Sequence, residues 1–333
     1  MPDDRFPRIP LTTMKKAANP VERATRRPSL SRLFLKQTSA AEQARQRQLQ
    51  DISAAHHGKA FMVDDGDLRM MHINEQCMQS AMRLSAPAEL VCAYSRAMMS
   101  ALLLTPTARD ICIVGLGGGS IAKYAYQHLP DSRIRAIEIR DDVIALRDAF
   151  AIPADEARLQ IVHADAADYL PFSTQTADLL FLDAYDKDGL VAALNTPSFY
   201  AHCHRLLNPG GTLVANVWGK PSALAPVLFD LQQQFQGRVG FCRSPDSYNL
   251  IVFASKADLS ADGLVRNERE LASVHPTLNF SLCRQAMEAV NENRQQEQIL
   301  QSLRSVLVDD RAVPQEYADW KERVSAQWQA QSK

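Results

Sequence analysis

From Asp110 to about Ser255, short apolar runs alternate with amphipathic stretches. Ile111–Gly115, Arg133–Ile139, Leu159–His163, Ala177–Asp183 and Thr212–Trp218 read as strands. Ser120–Leu129, Asp142–Phe150, Ser198–Leu207 and Ser222–Phe235 read as helices of this region. Ala177–Asp183 is mostly apolar, as a parallel strand covered on both faces must be. Strands separated by helices predict a parallel α/β sheet with right-handed crossovers. Pro209-Gly210-Gly211 reads as the stop of the helix before it. Val239–Arg243 and Leu250–Ser255 follow each other with no helix between them, which predicts one antiparallel partner near the sheet edge.

The flanks have other patterns. Gly58–Val63, Leu68–Ile73 and Cys77–Met82 are short strand candidates, the first two joined by a turn at Asp64-Asp65-Gly66-Asp67. Residues 87–104 read as one largely buried helix. Residues 39–53 are helix formers with little apolar surface, and residues 1–40 carry five prolines among basic residues, which predicts disorder. Residues 261–333 are polar and helical, for example over Gln285–Leu307 and Tyr317–Trp328. The expected division is a basic, largely disordered tail and helix (1–53), a small β region (54–86), the α/β domain (87–258) and a helical extension for packing or oligomerisation (259–333).

Composition narrows the class. The chain has 333 residues, 46% hydrophobic and 23% charged, an ordinary soluble globular balance of roughly two domains. Net charge is −1, but residues 1–50 carry +7 and the remainder −8. The near-zero net charge argues against wholesale nucleic-acid binding, the basic tail could touch RNA or anionic lipid but lacks aromatic interleaving, and the acidic body suits a cationic substrate. The six cysteines (77, 92, 112, 203, 242, 283) form no CxxC pair and several lie in apolar runs. Buried free thiols in a reducing cytoplasm are expected. No run approaches 18 apolar residues and the Met-Pro-Asp-Asp start lacks a signal-peptide core, so a cytoplasmic, membrane-free protein is expected, and the helical extension goes with an expected homo-oligomer.

The chemistry centres on Val114-Gly115-Leu116-Gly117-Gly118-Gly119-Ser120, between a strand and a helix. Glycines let a ligand approach the backbone, and the helix start offers unpaired N–H groups. The alternative is a plain tight turn. Glu138 ends the next strand, 23 residues after Gly115, where an acid can accept both ribose hydroxyls. Asp165 follows the third strand and Asp183 ends the fourth. Acids at successive carboxyl strand tips point to a nucleoside site. Asp165 would accept from an adenine amino group, or simply cap the following helix. No second glycine turn is present for a dinucleotide, so the set matches an adenosyl-sulfonium site better.

In this order the residues resemble the spermidine synthase (polyamine aminopropyltransferase) family, which has a Rossmann-like class I methyltransferase fold. The family pattern GGGDGG, ribose Glu, Asp-Ala, DSSDP and FY is met by GLGGGS at 115–120, Glu138, Asp165-Ala166, Asp183-Ala184-Tyr185-Asp186 and Phe199-Tyr200. Gln79 is similar to the family's Gln near the end of its β domain, and Tyr94 to the Tyr of its YHE motif. The resemblance spans about residues 58–255. It implies that Gly115, Gly117, Gly118, Gly119, Glu138, Asp165, Ala166 and Gln79 bind the co-substrate. This would be decarboxylated S-adenosylmethionine or S-adenosylmethionine, with no metal. The implied reaction moves an aminopropyl group to a polyamine-type amine. Asp183 would be general base, oriented by Tyr94, with Asp186 holding amine charge.

The departures are specific. Gly118 stands where the family has Asp, Ser95-Arg96 where it has His-Glu, Lys187 where it has Pro, and Ser244–Tyr248 where it has Tyr-Pro-Ser-Gly. A lost charge-assisted hydrogen bond at the donor tail, worth ~1.5–3 kcal/mol, would change donor preference. Two alternatives therefore stand: an S-adenosylmethionine-dependent small-molecule methyltransferase, and a catalytically silent nucleoside-binding paralogue. His202-Cys203-His204 reads as structural, since residues two apart on a helix diverge. Trp218 could wall the pocket or simply pack.

Overall fold

The structure, a computed structural model, describes residues 40–75, 78–186, 189–218, 221–244, 249–257, 261–278 and 280–291. The expected tail, Cys77, Lys187, Asp188, residues 245–248 and the helices expected beyond residue 291 lie outside these.

A helix, α1 (Ala40–His56), leads into three antiparallel strands, β1 (Phe61–Asp65), β2 (Leu68–His72) and β3 (Met78–Arg83). Helix α2 (Ala93–Met99) and a 3-10 turn (Ser100–Leu103) precede the main sheet. There follow β4 (Asp110–Val114), α3 (Ser120–His128), β5 (Arg133–Glu138), α4 (Asp141–Ile144), β6 (Leu159–His163), α5 (Ala166–Phe172) and β7 (Ala177–Leu182). A two-strand hairpin, β8 (Tyr185–Asp186) and β9 (Gly189–Leu190), leads to α6 (Pro197–Leu206), β10 (Leu207–Val217), α7 (Pro221–Gln234), β11 (Val239–Arg243), β12 (Leu250–Ser255), α8 (Ala261–Val274) and α9 (Phe280–Asn291).

The seven-stranded sheet runs β11-β12-β10-β7-β4-β5-β6. The pairings from β10 through β7, β4 and β5 to β6 are parallel, and β12 is antiparallel to both of its neighbours. The expected antiparallel partner therefore exists, inserted one strand in from the edge.

Strand alternation divides the interior into two cores. Ile111, Ile113, Leu179, Phe181, Val214, Ile251 and Phe253 face one side, with residues of α2, α3, α8 and α9. Cys112, Val114, Leu180, Leu182, Leu213, Ala215, Val252 and Ala254 face the other, with residues of α5, α6 and α7. Burial on both faces explains why β7 lacks the polar alternation of a surface strand. Met71 and Met82 join the first core, so the small β sheet packs onto the α/β body.

Several expected elements change shape. Instead of a helix to Phe150, α4 stops at Ile144 and tightens into turns with Leu146 N–H bonded to Val143 O and Arg147 N–H to Ile144 O. The carbonyls beyond are taken by side chains: Arg69 Nη1 donates to Ala149 O at 2.7 Å and Lys123 Nζ to Phe150 O at 2.7 Å. The helix expected over 87–104 begins only at Ala93, because Arg96 Nη1 bonds the Leu90 and Val91 carbonyls and holds them outside a helical ladder. Pro209-Gly210-Gly211 lies inside β10, where the register against β7 shifts, rather than ending a helix.

Candidate active site

Strand β4 is the pivot, with β5 on one side and β7 on the other. The carboxyl ends of these parallel strands therefore place Gly115 between Glu138 and Asp183. Gly115 has φ +92°, and its N–H donates to Ile137 O at 2.8 Å. A Cβ there would stand 2.2 Å from the Asp183 carbonyl oxygen, so only glycine lets the chain turn between the two strands.

Glu138 is buried. Its Oε2 accepts from Leu116 N–H at 2.8 Å and its Oε1 from Arg140 N–H at 2.9 Å. The carboxylate thus ties the glycine loop to the end of β5 and is oriented by backbone alone. Asp165 is the N-cap of α5, with Oδ1 accepting from Ala167 N–H at 2.8 Å. The capping role weighed for Asp165 is real, and it leaves Oδ2 for a ligand. Ala166 is buried behind it.

Asp183 is held differently. Asn216 Nδ2 donates to its Oδ1 at 2.8 Å, and the Tyr94 hydroxyl hydrogen-bonds the same carboxylate. Protein surrounds the group, and this desolvation pushes its pKa up to about 6 against the lowering effect of Asn216 and Tyr94. Burial, with the Asp183 charge beside it, pushes the Tyr94 hydroxyl well above its usual range. The Tyr185 hydroxyl, also raised by burial, donates to the Asn216 backbone carbonyl.

Gly118 is buried, and the space in its Cβ direction is filled. A Cβ on it would meet Ser80 Oγ at 2.6 Å and Phe150 Cδ1 at 2.8 Å. Ser80 Oγ also lies 3.3 Å from Ser120 Oγ, so β3 of the small sheet is seated on the glycine turn. Gly117 and Gly119 complete the turn, with Gly119 as N-cap of α3. Gln79 occupies a bulge in β3: Met71 pairs with Ser80 but His72 with Met78. Bulges re-aim a side chain, and this one sits beside the glycine loop.

A family model described as a methyltransferase domain matches residues 113–215. The polyamine aminopropyltransferase of Chromobacterium violaceum is 37% identical over 177 residues, 53% of this chain and 68% of that protein. The enzyme of the same name from Neisseria meningitidis serogroup A is 32% identical over 235 residues, 69% of this chain and 89% of that protein. The chain belongs to the polyamine aminopropyltransferase family. A solved spermidine synthase in complex with the transition-state analogue AdoDATO shares the fold with a TM-score of 0.52 at 16% identity, over 79% of this chain and 88% of that one.

Against the aminopropyltransferase family pattern, the structure brings Tyr94, Asp183 and the glycine turn together. Asp186 is placed by its backbone, which pairs with Gly189, while its side chain lies outside what the structure describes. Ser95 and Arg96, which replace His-Glu, serve the local backbone: Ser95 Oγ donates to Cys92 O at 2.7 Å and Arg96 to the carbonyls named above. Sequence reasoning missed Asn216, Asn249, Ser80 and the exposed Ile139 next to Glu138 (57% exposed). Asn216 had a signal, as the single polar residue in the apolar run Leu213–Val217. Ser80 and Phe150 had none, since their contact with Gly118 joins three distant segments.

Proposed function

We propose that the protein transfers an aminopropyl group from an adenosyl sulfonium to a polyamine-type amine. The co-substrate is an adenosyl compound, decarboxylated S-adenosylmethionine in this reading. Glu138 receives the ribose hydroxyls, Asp165 Oδ2 the adenine amino group, and Gly115, Gly117, Gly118, Gly119, Ala166 and Gln79 line the co-substrate. Membership of the family and the fold shared with an AdoDATO-bound spermidine synthase support this assignment.

The single observation that carries the chemistry is the Tyr94–Asp183–Asn216 cluster at the tips of β7 and β10. An alkylammonium cannot attack. Its proton has to leave before the nitrogen lone pair forms the new C–N bond and the C–S electrons return to sulfur. Asp183, with its pKa near 6, is ionised at neutral pH and accepts that proton, while Tyr94 fixes its orientation. Asp186 adds charge for the cationic remainder of the amine. The products are an elongated amine and 5′-methylthioadenosine.

One observation favours the second reading, methyl transfer from intact S-adenosylmethionine. The loop position where the family pattern has Asp is Gly118, so no acid there repels the carboxylate of the intact donor. Incubating the protein with both donors and an amine panel, followed by mass spectrometry, decides between them. 5′-Methylthioadenosine is expected. S-adenosylhomocysteine would establish methylation, and neither product would establish a silent nucleoside binder.

Among the described residues no helix is long and apolar enough to cross a membrane. The buried Cys92, Cys112, Cys203 and Cys242, none of them in a disulfide, suit a reducing cytoplasm.

A further inference from the structure

Asn216 is 5% exposed, in a stretch of β10, Leu213–Val217, that is otherwise apolar and buried. A buried amide is tolerated only when its donor and acceptor are both satisfied. Here each is satisfied in one direction. Asn249 Nδ2 donates to Asn216 Oδ1 at 2.8 Å, and Asn216 Nδ2 donates to Asp183 Oδ1 at 2.8 Å. An ionised carboxylate only accepts, so Asn216 has to turn its NH2 towards Asp183. Turning the amide over would set oxygen against oxygen at Asp183 and NH2 against NH2 at Asn249. The backbone is fixed as well. Parallel pairing of Ala215 with Leu182 carries Asn216 beside Asp183, and the Tyr185 hydroxyl bonds the Asn216 carbonyl.

We propose that Asn216, locked in one orientation by Asn249, is a positioning residue that keeps Asp183 aimed and ready as the proton acceptor of the transfer. This rests on the reading of Asp183 as the base. The groups facing Asp183 are the Tyr94 hydroxyl from α2, the Tyr185 ring from β8 and the Asn216 amide from β10, with Cys92 beside Tyr94. Among the described residues none of these is a cation. The carboxylate, on a half-buried residue, is therefore stabilised by neutral donors, and each donor removed favours its protonated form.

The test is the pH profile of kcat/KM with 1,4-diaminobutane and decarboxylated S-adenosylmethionine. The wild type is expected to lose activity on the acid side near pH 6. Asn216→Leu should move that limb upward by about one pH unit. Asn249→Ala should move it the same way by less, and Asn216→Gln, which keeps an NH2 donor, should restore it. Affinity for 5′-methylthioadenosine should stay within a few-fold of the wild type in all three, which reports an intact fold. Where Asn216→Leu turns over too slowly, carboxyl NMR of Asp183 reads the same shift directly.

A uniform rate loss with the acid limb unmoved would reduce Asn216 to a packing residue and overturn the proposal. Asp183→Asn separates the two claims. If it keeps its turnover, the base assignment fails. If it loses turnover while Asn216→Leu leaves the limb in place, only the relay fails.

Discussion

The two halves of the cleft hold their carboxylates by different means. On the β5 and β6 side, Glu138 and Asp165 are gripped by main-chain N–H groups of Leu116, Arg140 and Ala167. On the β7 and β10 side, Asp183 is gripped by the side chains of Asn216 and Tyr94, and its pKa rises to about 6. Backbone donors belong to strand ends and helix starts, so they fix an acceptor rigidly for hydroxyl or amino groups. Side-chain donors in a desolvated setting leave the carboxylate close to the point of protonation, which a proton acceptor needs. In the proposed function, one half binds and the other exchanges a proton.

The largest effect should come from Asp183→Asn. Loss of a general base costs roughly 10²–10⁴-fold in turnover. Calorimetry with 5′-methylthioadenosine should find binding on the Glu138 side little changed. Strong loss of both would erase the distinction between the halves.

Gly115→Ala attacks the joint between them. With φ at +92° and the Asp183 carbonyl 2.2 Å from the added carbon, the turn must shift. A destabilisation of about 2–4 kcal/mol is expected from such strain, read by denaturant unfolding, together with weaker nucleoside binding and lower turnover.

Glu138→Gln sharpens the contrast from the binding side. The amide keeps one acceptor oxygen and sets an NH2 against a backbone N–H. Removing a charge-assisted acceptor should weaken nucleoside binding about tenfold or more. At saturating donor kcat should change far less.

The smallest effect has the opposite sign. Asp183 has its native pKa raised from 3.8 to about 6, so the native state binds a proton more tightly than the unfolded chain. Its burial is free of penalty below pH 3.8, and the penalty grows between there and pH 6 and is complete above. Asp183→Asn should therefore stabilise the inactive protein at pH 8 by about 1–2 kcal/mol. The gain should fade as pH drops towards 4, which thermal unfolding at several pH values will show.

The binding half was largely legible in the sequence. A glycine turn followed by Glu138 at the next strand tip is local information, because β4, α3 and β5 are consecutive and parallel strands end together. The proton-exchanging half was legible only in part. Asp183 was found as an acid at a strand tip, whereas its role as base and the part of Tyr94 came from the family resemblance. Asn249 was not, because it comes from the loop before β12, a strand that enters the sheet antiparallel and beside β10. The turns that replace the end of the helix expected over 142–150 were also invisible, since Arg69 and Lys123 reach their carbonyls from 80 and 27 residues away.

The sequence by itself determined the layered α/β fold, the position of the glycine turn and the acids at the strand tips, because hydrophobic period and glycine placement act over a few residues. Tertiary structure alone decided which side chains surround Asp183 and why Gly118 can carry none. Hydrogen bonding, desolvation and steric exclusion depend on segments that meet only when the chain is folded: β3, Phe150, Tyr94 and Asn249.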